Sequence, residues 1–291
     1  MTMTRRDFQL MAGALLALGT RPGLASAADE SAIAKFRKIE EATSGRLGVA
    51  ALDSGSGTRM DWRAEERFPI TSTFKMLLAG AVLNRVDRDV DKLDRIIRFE
   101  GKDVVSNSPF TKPKADGPGM TVESLCEAAM IVSDNTAANV LLAEIGGPSG
   151  LTAYARKLGD EVTRLDRIEP ELNEAKPGDP RDTTAPAKML AHLQAFVLGD
   201  ALSARSKELM IGWLLNNKTG NARIRAGVPA GWRVGDKTGG GDNGTANDVA
   251  IVWPPGRAPI LIAIYLTGTS ATDERRNAIH AEVARAVLAG I

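Results

Sequence analysis

Trp232-Arg233-Val234-Gly235-Asp236, Thr245 to Trp253 (Thr-Ala-Asn-Asp-Val-Ala-Ile-Val-Trp) and Ile260 to Leu266 (Ile-Leu-Ile-Ala-Ile-Tyr-Leu) read as three successive strands close to the end of the 291-residue chain. They are rich in β-branched and aliphatic residues and are separated by glycine- and proline-containing turns, the pattern of an antiparallel run. Two more strands are expected near the other end, Leu47 to Asp53 and Thr58 to Trp62, joined by Ser54-Gly55-Ser56-Gly57. Between the two groups the periodicity is helical: Ser72 to Arg85, Thr121 to Ser133, Thr136 to Ile145, Ser149 to Leu158, Thr184 to Val197 and Ser203 to Asn216. Gly146 and Gly159 suit helix C-termini. Helices over residues 31–43 and Ala271 to Ala289 flank the whole. This order predicts an α+β fold: one five-stranded antiparallel sheet built from both chain ends, residues 28–68 and 221–291. A helical lobe, residues 69–220, is inserted between them, with a cleft between lobe and sheet. One connection, Arg164 to Arg181, holds three prolines and a glycine, which exclude a long helix and suit a compact Ω-type loop.

Composition narrows the function classes. Hydrophobic residues make up 43% of the chain and aromatics only 4%, enough for a large aliphatic core. The formal charge is +1. Residues 1–27 carry Arg5, Arg6 and Arg21 against Asp7, so the body is close to neutral and offers no basic footprint for nucleic acid. His192 and His280 are far apart and Cys126 is the lone cysteine, so no metal-ligand spacing and no internal disulfide are expected. Thr4-Arg5-Arg6-Asp7-Phe8, the apolar Leu10 to Leu18 and Ala25-Ser26-Ala27 have the order of a signal peptide over residues 1–27. The paired arginines resemble a twin-arginine signal, with the general secretory route as the alternative. A periplasmic or secreted mature protein starting near Ala28 or Asp29 is the expectation, without a membrane span.

Ser72-Thr73-Phe74-Lys75 puts a hydroxyl and an amine three residues apart, on one face of a helical turn. A serine hydroxyl needs a neighbouring base to become a nucleophile, and a desolvated lysine can serve as one. Alone, the pattern better suits a helix N-cap serine followed by a surface lysine. Ser133-Asp134-Asn135 falls between two helices, where it also reads as an N-cap. Lys237-Thr238-Gly239 follows a strand-like run and precedes Gly240-Gly241, so a ligand could lie close along the backbone. A second such tripeptide, Lys218-Thr219-Gly220, follows a helix end and is set aside as part of a helix-ending turn. In the Ω loop, Glu169 and Asn173 offer a carboxylate and an amide able to hold a water between them.

Together and in this order, these residues resemble the class A β-lactamases, for which Ser-x-x-Lys, Ser-Asp-Asn and Lys-Thr-Gly are the signature. The resemblance extends through Arg167-Ile168-Glu169-Pro170-Glu171-Leu172-Asn173 and Arg181-Asp182-Thr183-Thr184. It implies that Ser72 is acylated by the β-lactam, with the backbone N–H groups of Ser72 and Gly240 as the oxyanion hole. Lys75, or Glu169 through a water, takes the serine proton; Ser133 passes a proton to the leaving nitrogen. Asn135 binds the substrate's side-chain amide. Lys237, Thr238 and Gly239 flank its carboxylate, and Glu169 with Asn173 activates the hydrolytic water. Arg167 and Asp182 brace the loop. No cofactor is implied, and the small-molecule substrate is met by a monomer.

Departures from the family are specific. An arginine that some members carry on the following strand is replaced by Ala246, which passes the carboxylate-supporting role to Arg223. The family's helix-to-helix disulfide would pair Cys126 with the position of Ala79, and that of a carbapenem-hydrolysing group would need cysteines at Thr71 and Gly241. Asn107 stands where many members have an aromatic residue at the cleft entrance. The expected function is hydrolysis of penicillins and some cephalosporins. The competing expectations are a penicillin-binding D-alanyl-D-alanine carboxypeptidase or transpeptidase, and a non-catalytic β-lactam sensor. The Glu169 loop favours hydrolysis.

Overall fold

The computed structural model describes residues 27–291; the leader expected over residues 1–27 therefore lies, apart from Ala27, outside the described residues. In chain order the elements are α1 (Ala27–Thr43), β1 (Arg46–Asp53), β2 (Arg59–Trp62), β3 (Phe68–Pro69), α2 (Phe74–Asp87), β4 (Ile96–Ile97), β5 (Met120–Thr121), α3 (Val122–Ile131) and α4 (Asn135–Glu144). They continue with α5 (Gly147–Lys157), β6 (Thr183–Thr184), α6 (Pro186–Val197), α7 (Ala204–Leu215), α8 (Ile224–Gly227), β7 (Arg233–Gly241), β8 (Thr245–Trp253), β9 (Ile260–Thr267) and α9 (Asp273–Gly290). The main sheet has the order β2-β1-β9-β8-β7, with every neighbouring pair antiparallel. The two chain ends meet where β1 pairs with β9, from Arg46 opposite Thr267 to Asp53 opposite Ile260. The expected α+β architecture is the one observed.

The sheet is a wall between two cores. Leu47, Val49 and Ala51 of β1, with Ile260, Ile262, Ile264 and Leu266 of β9, pack on one face against Phe36 of α1 and Ile279, Val283 and Val287 of α9. The alternate residues Ala50, Leu52, Leu261, Ala263 and Tyr265 face the helical lobe. That is period-two side-chain alternation with both faces covered, so β9 is buried along its whole length. The lobe is organised on α2, where every residue from Phe74 to Leu83 is buried. A helix buried on every face, and apolar there except for Lys75, belongs at the centre of a domain. Gly80 lets α6 approach it: a Cβ there would stand 2.4 Å from the Phe196 ring. Among the described residues, no helix is long and apolar enough to cross a membrane.

The elements differ from expectation at their ends. The chain enters α2 through a 3-10 turn over Thr71–Thr73, and no side chain caps the helix, so Ser72 is not an N-cap. α6 starts at Pro186, whose missing N–H is tolerated in a first turn, and Thr183–Thr184 pairs instead with Phe68–Pro69. β7 runs on through Gly241, carrying Lys237-Thr238-Gly239 inside the edge strand. Gly146 and Gly159 do adopt positive φ, 94° and 80°, as helix-ending residues.

Replacing Gly80 by Ala should destabilise the protein by about 1–3 kcal/mol through overpacking against Phe196. The ~1 kcal/mol gained in helix propensity is too small to offset this. Urea unfolding with an unchanged m-value is the check.

Candidate active site

The serine is presented by a strained turn that three elements hold in place. Thr71, β-branched, sits at φ 45°, where non-glycine residues are rarely found. Asn247 of β8 donates through Nδ2 to Pro69 O at 2.8 Å and to Thr71 Oγ1 at 2.9 Å. Thr73 Oγ1 donates to Ile70 O at 2.5 Å and meets the Tyr265 hydroxyl of β9 at 2.9 Å. β7 closes from the third side. A Cβ on Gly239 would fall 2.1 Å from Thr71 Oγ1 and 3.2 Å from the Ser72 nitrogen, so only glycine permits this contact. Beside Gly240, by contrast, a Cβ would meet nothing nearer than Thr245 O at 3.9 Å.

Around Ser72 the structure gathers the predicted polar residues. Lys75 Nζ donates to Ser72 Oγ at 3.0 Å, to Ser133 O at 2.9 Å and to Asn135 Oδ1 at 2.6 Å, and lies 3.0 Å from Glu169 Oε1. Ser72 Oγ is 3.1 Å from Glu169 Oε1; a carboxylate only accepts, so the serine proton points at Glu169. Lys75 and Glu169 are both fully buried. Burial pushes the Lys75 ammonium below the ordinary lysine range, with Glu169 opposing the shift. Ser133, at φ 59°, receives two ammonium groups on its hydroxyl: Lys75 at 3.3 Å and Lys237 at 3.1 Å. Both lone pairs being engaged, its own proton is free to be given away. Asp134 beside it is a true N-cap, accepting from Ala137 N at 2.9 Å. Asn135 spends its oxygen on Lys75 and can offer a ligand only its Nδ2.

The Ω loop carries Glu169 into this cluster. Asn139 of α4 clamps its backbone in both directions, donating to Glu169 O at 2.8 Å and accepting from Glu169 N at 2.9 Å. Asn173 donates directly to Glu169 Oε2 at 2.5 Å. The amide thereby orients the carboxylate, and Asn173 Oδ1 beside it is buried without a protein partner. The brace at the loop's base is an ion pair. Arg167 Nε donates to Asp182 Oδ2 at 2.6 Å, while Asp182 Oδ1 accepts from the backbone N–H groups of Asp166 and Arg167 at 2.8 and 2.9 Å.

The edge strand supplies the other wall. Lys237 is fully buried, donating to Thr238 O at 2.8 Å as well as to Ser133. Burial first, and the Lys75 charge second, lower it to about 7. Arg223 reaches β7 and β8 from behind: Nε donates to Asn277 Oδ1 at 2.9 Å and Nη1 to Gly239 O and Asn247 O at 2.7 Å each. Only its Nη2 remains for a ligand among the described residues. Asn107, aligned with the cleft entrance, donates to Ser133 O at 3.1 Å, and its carbonyl accepts from Asn135 N at 3.0 Å. Thr71 and Gly241 lie against each other, a Cβ on Gly241 falling 3.0 Å from Thr71 Cγ2, but neither is a cysteine. Cys126 is a buried thiol, pushed up by burial.

Sequence reasoning missed Asn139, Asn247 and Tyr265, single residues with no pattern around them. It also set aside Lys218-Thr219-Gly220, whose Thr219 hydroxyl lies 2.5 Å from that of Thr238. Among the described residues, no three histidine, cysteine or acidic side chains are placed to hold a metal ion. The arrangement is that of an acyl-transfer site: a serine with acceptors in reach, a proton donor beyond it and a cationic wall.

Truncating Asp182 to Ala leaves Arg167 Nε and two loop N–H groups without their acceptor, while Arg167 Nη1 keeps Glu174 at 2.5 Å. It should destabilise the protein by about 3–5 kcal/mol, the scale of a broken buried pair. Denaturant unfolding and faster proteolysis within residues 164–182 are the readouts.

Comparison with known proteins agrees with this geometry. Residues 31–291 match the model of the β-lactamase enzyme family. The chain is 49% identical to β-lactamase AST-1 of Nocardia asteroides, over 87% of this chain and 82% of that one. It is 50% identical to the carbapenem-hydrolyzing β-lactamase KPC of Klebsiella oxytoca, over 88% and 87%. Among solved structures, the class A β-lactamase GNCA4, the last common ancestor of Gram-negative bacteria, superposes with a TM-score of 0.87 at 55% identity, covering 91% of this chain and 99% of that one. With the serine, the two lysines and the Ω-loop carboxylate all in place, the chain belongs to the class A β-lactamases, the serine hydrolases of that family.

Proposed function

We propose that the enzyme hydrolyses the β-lactam ring of penicillins and some cephalosporins through an acyl-enzyme on Ser72. The observation that carries this reading is the buried Glu169 carboxylate, 3.1 Å from Ser72 Oγ and 3.0 Å from Lys75 Nζ. Ser72 attacks the lactam carbonyl as its proton leaves toward Glu169, with Lys75, itself depressed by burial, as the second acceptor in reach. The C–N bond breaks as Ser133, whose proton is not committed to either lysine, protonates the nitrogen. The substrate carboxylate is met by Lys237 and Thr238. Lys75 Nζ, 3.0 Å from Glu169 Oε1 and 3.3 Å from Ser133 Oγ, passes the proton that Glu169 took from Ser72 on to the Ser133 oxygen, which leaves Glu169 a carboxylate again. Hydrolysis of the ester then needs a base beside Ser72, and Glu169 is the carboxylate in position. A water donating to it and to the unpartnered Asn173 Oδ1 would be held for attack. A peptidase of the penicillin-binding type needs no such group, so this residue also argues for turnover over slow release.

The name of the Klebsiella relative raises carbapenems as further substrates. At the positions where a disulfide would be needed, Thr71 packs directly against Gly241.

Glu169→Ala should slow deacylation far more than acylation. A covalent adduct on Ser72 should then accumulate with benzylpenicillin, seen as a mass increase of the intact protein. Rapid release from that variant would assign deacylation to another base. Lys237 makes a pH prediction. Its folded pKa near 7 means that the ammonium which pairs with a substrate carboxylate is present below that value and lost above it. The KM of a carboxylate-bearing β-lactam should therefore rise as pH increases through neutrality, while that of its uncharged methyl ester stays level.

A further inference from the structure

The second Lys-Thr-Gly, Lys218-Thr219-Gly220, lies against the first. Gly220 makes this possible, because a Cβ there would stand 1.7 Å from Asp236 Oδ2, and Lys218 N is tied to Ile131 O at 2.9 Å. Thr219 itself is solvent-exposed, so core packing does not account for its hydroxyl. That hydroxyl is 2.5 Å from Thr238 Oγ1 and 2.8 Å from Asn217 Oδ1.

Counting protons gives the pair a direction. Asn217 is oriented at both ends: Nδ2 donates to Asp236 Oδ2 at 2.7 Å, and Oδ1 accepts the Thr219 backbone N–H at 3.1 Å. Asp236 in turn accepts from Arg225 Nε. Asn217 Oδ1 can only accept, so the Thr219 hydroxyl donates to it, and the proton in the contact between the threonines is Thr238's. A substrate carboxylate must draw that proton outward. Thr219 can then turn its own proton onto Thr238 Oγ1, while Asn217 Oδ1 keeps the Thr219 N–H. Every oxygen stays paired in both states, and a hydroxyl that accepts a hydrogen bond becomes a stronger donor.

We propose that Thr219 is a positioning residue for substrate-carboxylate recognition, acting as a two-way hydrogen-bond relay behind the Thr238 hydroxyl. It deepens the reading under Proposed function and rests on it. Without Thr219, Thr238 donates to the carboxylate unreinforced, and a methyl group replaces a hydroxyl beside an anion.

Steady-state kinetics on a chromogenic cephalosporin and on its methyl ester test this with Thr219→Val, Thr219→Ser, Thr238→Val and the double valine variant. Thr219→Val should raise KM for the acid by about three- to tenfold, the scale of one hydrogen bond, with the loss carried by KM and not kcat. The ester should show no such penalty, and Thr219→Ser should behave as the parent. On the Thr238→Val background, Thr219→Val should change kcat/KM by less than about twofold, since its effect passes through Thr238. Equal losses for acid and ester, additive losses in the double variant, an unchanged KM, or a serine variant as impaired as the valine one would each overturn the proposal. If Thr219→Val does not fold, Thr219→Ala, which also lacks the hydroxyl, carries the same expectations. If the parent enzyme turns over neither acid nor ester, the proposed function itself fails and takes this inference with it.

Discussion

The site depends on how closely the β7 edge is seated on the turn over Thr71–Thr73. At Gly239 there is no room for even a methyl group, and the turn it presses on contains a β-branched residue at φ 45°. Left to itself, such a residue would relax by about 1–3 kcal/mol. It does not, because Asn247 and Tyr265 from the neighbouring strands bond the turn, and Gly239 leaves it no space to move. The three strands hydrogen-bonded to one another thus act as a single rigid support. Helix α2, buried on all sides, carries Lys75 from the same turn into the cluster. Placement of the Ser72 hydroxyl and the Lys75 amine is therefore decided by sheet geometry, with the helix transmitting it.

The electrostatics follow from the burial that this seating enforces. Two lysines with no solvent contact share one serine hydroxyl, an arrangement that desolvation makes costly. Compensation is local and incomplete. Glu169 and the Asn135 oxygen face Lys75, while Lys237 has the Thr238 carbonyl and the Ser133 hydroxyl. Both lysines accordingly titrate below their ordinary range, and that residual imbalance is what an incoming carboxylate can relieve. In the Ω loop the desolvation of Arg167 is offset by pairing: Asp182 and Glu174 accept from its guanidinium, while Asn139 holds the Glu169 backbone in both directions.

Much of this was legible in the chain. The late strands are long, aliphatic and separated by turn residues, and burial on both faces made them easy to read. Ser72, Lys75, Ser133, Lys237 and Glu169 were each marked by a short spacing that persists because the residues act within one turn or at one strand end. Elements of two residues, such as the β3–β6 pairing, show no period and could not be read. Asn139 and Asn247 were invisible for a different reason: each bonds a partner 30 or 178 residues away and is surrounded by nothing that distinguishes it from a surface or core polar residue. The second Lys-Thr-Gly was correctly read as following a helix end, yet its position relative to the first strand could not be inferred from that.

Alone, the sequence determined the α+β layout, the family and most of the polar residues that the site gathers, because strand period, helix period and short motifs are local properties of the chain. The tertiary structure decided which oxygen faces which proton. It turned Asn173 directly onto Glu169, spent the Asn135 oxygen on Lys75, drew Arg223 behind the edge strand and set Thr219 against Thr238. Hydrogen bonds form or fail over a few tenths of an ångström, and distances of that size between remote segments are set only when the sheet and the helical lobe close on one another.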